Sequence, residues 1–582
     1  MTVFDYKKEE AIGTVYSVDT GTVIVSVSDV EHLRSLQVNH LVALRSSKVG
    51  QHLVGLIDKI TRKTLGESIE EGSEEDMLEG ITIIENVIRV TLIGTLIDVV
   101  GSTPNVFRRT LETVPEIDAD CFVLEGERLT KFMKSISKSV QEGKHPLSLG
   151  TYTIDEDAEA WLDGNKFFQR HAVIVGSTGS GKSWAVARIL EQVAELPNAN
   201  AILFDIHGEY APIQGDGIQH LRIAGPGDLN GLKNLDDGIV FLPYWLLTYE
   251  EMLALLLDRS DQNAPNQAMV FAREVTTAKR TKLEQDNKTA ILANFTVDSP
   301  VPYVLDSVME RLTFLNEERV EGARSGTTKA GDFNGKLSRF IQRLDAKRKD
   351  RRLTFLFGAS ECSMEYDWMP ALCTRLLAST RQQDNGGVKI IDFSEVPSDI
   401  LPLIIGLVAR IVFSVQQWTP KEKRHPIGLV CDEAHLYIPA RTESSAVSEA
   451  AVHIFERIAK EGRKYGVGLV IVSQRPSEVN RTVLSQCNNY IAMRLTNADD
   501  QGVVRRLLPD SLGGFSDLLP ILDVGEALVV GDSSMLPTRI RFAKPTTEPA
   551  SATIEFWDEW SKEKVAESIT DAVEYMRRQS KV

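Results

Sequence analysis

Residues 176–183 read Gly-Ser-Thr-Gly-Ser-Gly-Lys-Ser, which meets every fixed position of G-x-x-x-x-G-K-[ST]. Glycines let a backbone turn its N–H groups inward around a phosphate, and a following helix N-terminus adds a favourable field. Gly176, Ser177, Thr178, Gly179, Ser180 and Gly181 are expected to form the cradle, with Trp184 beside it. Lys182 is expected to reach the β- and γ-phosphates and the Ser183 hydroxyl to ligate magnesium. The context agrees: Ala172–Val175 reads as a short buried strand, and Trp184–Leu196 as a helix presenting Leu190, Val193 and Ala194 to a sheet. ATP with Mg2+ is the expected ligand.

Phosphoryl transfer needs a metal held, a water aimed in line and the charge on the γ-phosphoryl group stabilised. Leu429-Val-Cys-Asp-Glu-Ala-His435 is an apolar strand ending in two carboxylates. In the functional reading Asp432 meets the magnesium shell and Glu433 activates or orients the attacking water. In the alternative the pair simply opens a helix. His435 reads equally as a structural residue. Gln474, in Ser473-Gln-Arg-Pro476 after the strand Gly468–Val472, reads as a γ-phosphate sensor or as a turn cap. Asp205 ends the strand Ile202–Phe204, where open α/β sheets bind ligands, and is a candidate for orienting water or holding magnesium indirectly. Glu209 shares that role or bridges to a neighbouring subunit. Arg463, in Lys460-Glu-Gly-Arg-Lys-Tyr-Gly466, and Arg170, just before the P-loop strand, are candidate arginine fingers or ordinary surface arginines. Lys336, Arg339 and Arg343, with Lys347–Arg352, form the densest basic cluster, either a track for DNA phosphates or a solvated helix face.

The elements that must position these groups need several domains, since 582 residues exceed one core. Residues 1–105 read as a small β-barrel of short β-branched strands, with an acidic solvated loop at Glu67–Glu79. A connecting segment, 106–157, follows. Residues 158–245 and 386–545 alternate strand and helix, the pattern of a parallel α/β sheet, and 246–385 reads as a helical insertion. Residues 546–582 form a tail, read as one helix with Ile554, Trp557, Trp560, Val565, Ile569 and Val573 on its apolar face.

A net charge of −17 excludes a protein that coats itself on nucleic acid, so any DNA contact must be a local patch or channel. The five scattered cysteines show no C-x-x-C spacing and read as reduced thiols of a cytoplasmic protein, with neither a disulfide frame nor a zinc site. The first ten residues lack signal-peptide character, and Arg410 interrupts the apolar run Ile400–Val415, so no membrane span is expected.

A barrel, the P-loop, Asp205–Tyr210, a long insertion, Leu429–His435, Gly462–Gly466 and Ser473–Pro476, in this order, resemble the HerA family over nearly the whole chain. That family comprises hexameric DNA-translocating ATPases related to the FtsK pumps, and the first strands resemble the HAS barrel that it shares with rotary ATP synthases. The resemblance implies a RecA-like core in which Lys182, Ser183, Asp432, Glu433 and Gln474 act in cis. Arg463 would then act in trans across a ring interface, with double-stranded DNA in a central pore. A ring acidic outside and basic inside accommodates the net charge. It also implies a partner: a NurA-like nuclease, or a nuclease or sirtuin-like effector in anti-phage defence. The alternative function is a nucleotide-stabilised scaffold that assembles and regulates an effector, with DNA translocation secondary.

Overall fold

The computed structural model describes residues 6–579 apart from 20, 39, 49, 66–82, 98–105, 112, 142–145, 154, 231–233, 322–325, 359–360, 380–385, 442–444, 508–515, 535, 552–553 and 563–567. The acidic stretch Glu67–Glu79 lies outside the described residues. The chain divides into two compact units, one of Met1–Phe167, Gly176–Ala185 and Asn488–Lys544, the other of Phe168–Val175, Val186–Cys487 and Pro545–Val582.

In the first unit, short β-branched runs pair as β1 (Gly13–Val18), β2 (Thr22–Ser26), β3 (Leu41–Arg45), β4 (Gln51–Leu65), β5 (Ile83–Ile97), β6 (Val106–Arg108) and β7 (Asp120–Val123). Their order is β2-β1-β7-β3-β4-β5, and β5 pairs back onto β2. The ring is therefore a closed, antiparallel six-stranded barrel, with β6 added along β5. Val15, Val25, Val42, Leu44, Leu53, Ile57, Ile88 and Val90 fill it. The closing strand β7 comes from the segment expected to be only a connection. Four residues, Asp-Cys-Phe-Val, are too few to announce a period. The same unit holds β8 (Leu147–Tyr152), β9 (Asp155–Leu162), β19 (Asn489–Met493), β20 (Glu526–Gly531) and β21 (Thr538–Phe542), adjacent in the order β19-β20-β21-β8-β9.

The second unit carries β10 (Ala172–Val175), β11 (Asn200–Asp205), β12 (Ile218–Ile223), β13 (Ile239–Val240), β16 (Gly387–Asp392), β17 (Ile427–Cys431) and β18 (Val467–Ser473). They lie in the order β13-β12-β16-β11-β17-β18-β10, every neighbouring pair parallel. This is a RecA-like sheet, with β18 between the strand that leads into the P-loop and the strand that ends in the paired carboxylates. Between β13 and β16 the insertion contributes helices Tyr249–Leu256, Ala264–Gln285, Leu305–Glu317, Ser338–Lys349 and Trp368–Leu377, and a hairpin of β14 (Arg319–Glu321) and β15 (Thr328–Ala330). Helix Leu401–Trp418 is long and apolar enough to cross a bilayer, yet 72% of it is buried. Its Arg410 is held by Glu251 at 2.7 Å, so it is a core helix.

One buried imidazole ties these layers together. His171, only 3% exposed, accepts from the Leu469 N–H of β18 at Nδ1 (2.9 Å) and faces the Ala459 carbonyl with Nε2 (3.1 Å). This pattern fixes the neutral tautomer with the proton on Nε2. Ala459 belongs to helix Ala446–Tyr465, so a single side chain links the start of β10, the middle of β18 and the helix that carries Arg463. The tail differs from expectation: two short helices, Phe556–Ser561 and Ile569–Arg578, keep Trp557, Trp560 and Ile569 exposed, and Val565 lies outside the described residues. Two such short helices bury too little surface to fold their aromatic face inward.

Burial lowers the His171 pKa from 6.5 to about 4, the hydrogen bond to Ala459 opposing it. A depressed histidine contributes stability that is complete above pH 6.5 and is lost as pH falls toward 4. Denaturant titrations from pH 7 to 4 should show a component of about 1.4 kcal/mol per pH unit that His171→Gln removes.

Candidate active site

The P-loop is built inside the first unit. The Ser177 N–H and Oγ both donate to the Arg494 carbonyl, at 2.8 and 2.9 Å, and Gly525 N–H donates to the Ser180 carbonyl at 2.9 Å. Both ends of the loop are thereby held to the residues flanking β19 and β20. Gly179 and Gly181 take φ of 73° and 96°, where a Cβ is strained. At Gly176 a Cβ would sit 2.4 Å from Ser180 Oγ, a buried hydroxyl without a hydrogen-bond partner. A glycine-shaped loop that opens directly into a helix N-terminus suits a phosphate chain. Lys182 opens the helix Lys182–Ala194 and is 5% exposed. Lys544 Nζ lies 5.2 Å from the centre of the Trp184 ring.

The carboxylates are built inside the second unit. Parallel pairing puts Asp205 opposite Asp392, Phe204 opposite Cys431, and Cys431 opposite Ile471, so β11, β16, β17 and β18 end at one edge. Val175 pairs with Ser473 and passes directly into Gly176. Asp432 and Glu433 follow β17 and are buried, 3% and 4% exposed. Glu433 adopts φ 46°, a left-handed conformation unusual for a glutamate, which turns the chain sharply after the strand. Its carboxylate accepts a 2.6 Å hydrogen bond from Gln474 Nε2, and His435 Nδ1 lies 3.3 Å from its other oxygen. His435 Nδ1 is also 3.3 Å from Ser473 Oγ, and Tyr437 OH donates to the Asp432 carbonyl at 2.9 Å.

Asp205 does local work. Its carboxylate accepts from the N–H groups of Gly208 (2.8 Å), Glu209 (3.1 Å) and Tyr210 (3.0 Å), folding the next five residues back over the strand end. Burial pushes its pKa up to about 6, with Asp392 and Asp432 adding to the rise and the Tyr210 and Glu209 N–H groups opposing it. Glu209 is tied through its carbonyl to Ala550 N–H at 2.7 Å.

The segment 147–412 matches the family model "Helicase HerA, central domain". Over this segment the chain is similar to the HerA family. It is 26% identical over 428 residues to the DNA double-strand break repair helicase HerA of Pyrococcus furiosus, covering 69% of this chain and 70% of that one. With the HerA of Saccharolobus solfataricus it shares 24% identity, covering 75% and 76%. With the probable helicase MJECL08 of Methanocaldococcus jannaschii it shares 23% over 561 residues, covering 91% and 96%. Among solved structures, the bacterial conjugative coupling protein TrwB aligns at 13% identity with a TM-score of 0.41, covering 74% of this chain and 94% of that one.

This ATP hydrolase carries its phosphate loop and its carboxylates each within one of the two units. The Gln474 amide nitrogen donates to Glu433, which ties the candidate sensor to the candidate water-activating carboxylate. His435 joins Glu433 to the end of β18, a role its position in the sequence left open. Arg463 stands exposed in the last turn of helix Ala446–Tyr465, which ends at Gly466 with φ 71°. Arg170 is half-buried beside the start of β10. The basic cluster is largely neutralised within the chain: Arg339 faces Asp261 (3.9 Å), Arg343 pairs with Asp258 (2.8 Å), Lys347 with Asp399 (3.1 Å) and Arg352 with Asp350 (2.7 Å). Their acidic partners are remote in sequence or lie across a turn, so helical spacing alone did not show the pairing. Missed altogether were Asp392, which lacks a motif, and His171, whose partners lie 288 and 298 residues away.

Asp205→Ala should remove the carboxylate that accepts from three backbone N–H groups and leave those donors unpaired, lowering stability by about 2–4 kcal/mol in chemical denaturation. Hydrogen exchange should rise in residues 206–210 before other parts of the sheet.

Proposed function

We propose that this chain is the motor subunit of a ring-forming, ATP-driven translocase of double-stranded DNA. The observation that carries the mechanism is the 2.6 Å hydrogen bond from Gln474 to Glu433. It ties the carboxylate proposed to activate water to the residue proposed to sense the γ-phosphate. Arrival of that phosphate competes for the Gln474 amide, freeing Glu433 to take a proton from water as the water oxygen attacks phosphorus. The bond to the ADP oxygen breaks with its electron pair leaving on ADP, which Lys182 stabilises. A hydroxyl at Ser183 and a carboxylate at Asp432 are hard oxygen donors of the kind that suit Mg2+, which supplies charge neutralisation on the phosphates when bound. Asp205 shapes this edge of the sheet and adds a second carboxylate to it.

The names of the relatives, DNA double-strand break repair helicases, support DNA as the track. An exposed Arg463 supports its use as a finger toward a neighbouring copy in a hexamer. The effector is a separate chain, a NurA-like nuclease or a nuclease or sirtuin-like anti-phage enzyme, acting in the cytoplasm.

Glu433→Ala should lower ATP turnover by more than about 10²-fold while leaving ATP binding intact, as read by equilibrium binding beside steady-state hydrolysis. Normal turnover in this variant would remove Glu433 from its role. Mixing Arg463→Ala with Lys182→Ala subunits should restore part of the hydrolysis at hybrid interfaces, and no recovery at any ratio would place Arg463 outside the site. Duplex DNA should raise turnover several-fold. If DNA changes neither turnover nor binding while an effector does, the chain is a nucleotide-stabilised scaffold instead.

A further inference from the structure

Arg494 is the first residue after β19, and its carbonyl holds the second residue of the P-loop through both the N–H and the Oγ of Ser177. Its side chain therefore starts at the edge of the phosphate cradle. The residue is half-buried, and no hydrogen bond, ion pair or ring contact engages its side chain among the described residues. Other half-buried arginines of this acidic chain are matched: Arg222 with Asp228 at 2.7 Å, Arg410 with Glu251 at 2.7 Å, Arg539 with Glu526. An arginine stays charged at any working pH, and a partly desolvated charge costs free energy until an anion meets it. In the same loop, Ser180 Oγ is fully buried and without a hydrogen-bond partner.

We propose that Arg494 is a phosphate-binding residue of the hydrolysis site, its planar fork taking oxygens of the terminal phosphates of ATP from the same polypeptide that supplies the P-loop. The assignment rests on the reading of residues 176–183 as the triphosphate site. A guanidinium matches two phosphate oxygens at once and gains most where negative charge is greatest, so it favours ATP over ADP. It complements a finger from a neighbouring copy, because it is present in every isolated subunit. The division of labour is unusual: the main chain of Arg494 builds the loop, and its side chain is left for the ligand.

That division makes the test clean. Arg494→Ala keeps the carbonyl that accepts from Ser177, so the nucleotide-free protein should melt at the wild-type temperature. Its kcat/KM for ATP should fall about 10²-fold, the effect of losing one preorganised charged donor. Affinity for a non-hydrolysable ATP analogue should fall more than affinity for ADP, and Arg494→Lys should recover part of the loss. Wild-type turnover and analogue affinity in Arg494→Ala would overturn the proposal. So would a lowered melting temperature without nucleotide that Arg494→Lys restores without restoring turnover, which assigns the side chain to the fold. Lys182→Ala separates the two readings: if it too binds and hydrolyses ATP normally, the P-loop assignment itself fails.

Discussion

The position of β18 is the constraint on which the rest depends. It lies between β17 and β10, buried along its whole length, and parallel pairing on both sides leaves it no freedom of register. A one-residue slip would turn its apolar faces over and move Gln474 out of reach of Glu433. The 2.6 Å bond between those two residues is thus a consequence of sheet register. It is not a property of either motif alone. His171 holds the strand from beneath, and close backbone approach holds it from the side: a Cβ at Gly468 would lie 2.6 Å from the Phe168 carbonyl.

The same sheet explains the electrostatics of the carboxylate edge. Strands buried on both faces carry few charged side chains along their length, Lys389 of β16 being an exception, whereas Asp205, Asp392 and Asp432 stand at or just after strand ends. Asp205 sits opposite Asp392 there, and burial, with a smaller contribution from Asp392 and Asp432, raises the Asp205 pKa to about 6. The backbone N–H groups of Glu209 and Tyr210 offset part of that rise. Away from this edge the chain settles its charges internally, as the insertion shows: its arginines and lysines meet aspartates of the same chain.

Local signals were enough for the P-loop, the carboxylate pair and the parallel strands. A glycine pattern, an apolar run ending in Asp-Glu and alternating strand and helix periods each state their own chemistry within a few residues. The barrel was legible as strands but not as a closed ring, because closure depends on β5 meeting β2 and on β7 arriving from a segment with no strand period. The tail was legible as helical and amphipathic, whereas its division in two and the exposure of Trp557 and Trp560 were not.

The sequence by itself determined which residues could bind a triphosphate and activate water, since Gly-x-x-x-x-Gly-Lys-Ser and Leu-Val-Cys-Asp-Glu are complete within single strand-to-helix passages. Only the tertiary structure decided how those residues are tuned. Gln474 and Glu433 stand 41 residues apart, His171 and Leu469 298, and Ser177 and Arg494 317. Contacts at such separations leave no periodic trace in the chain. They exist because burial of apolar strands fixes register, and register then brings the few polar groups at the strand ends within a hydrogen bond of one another.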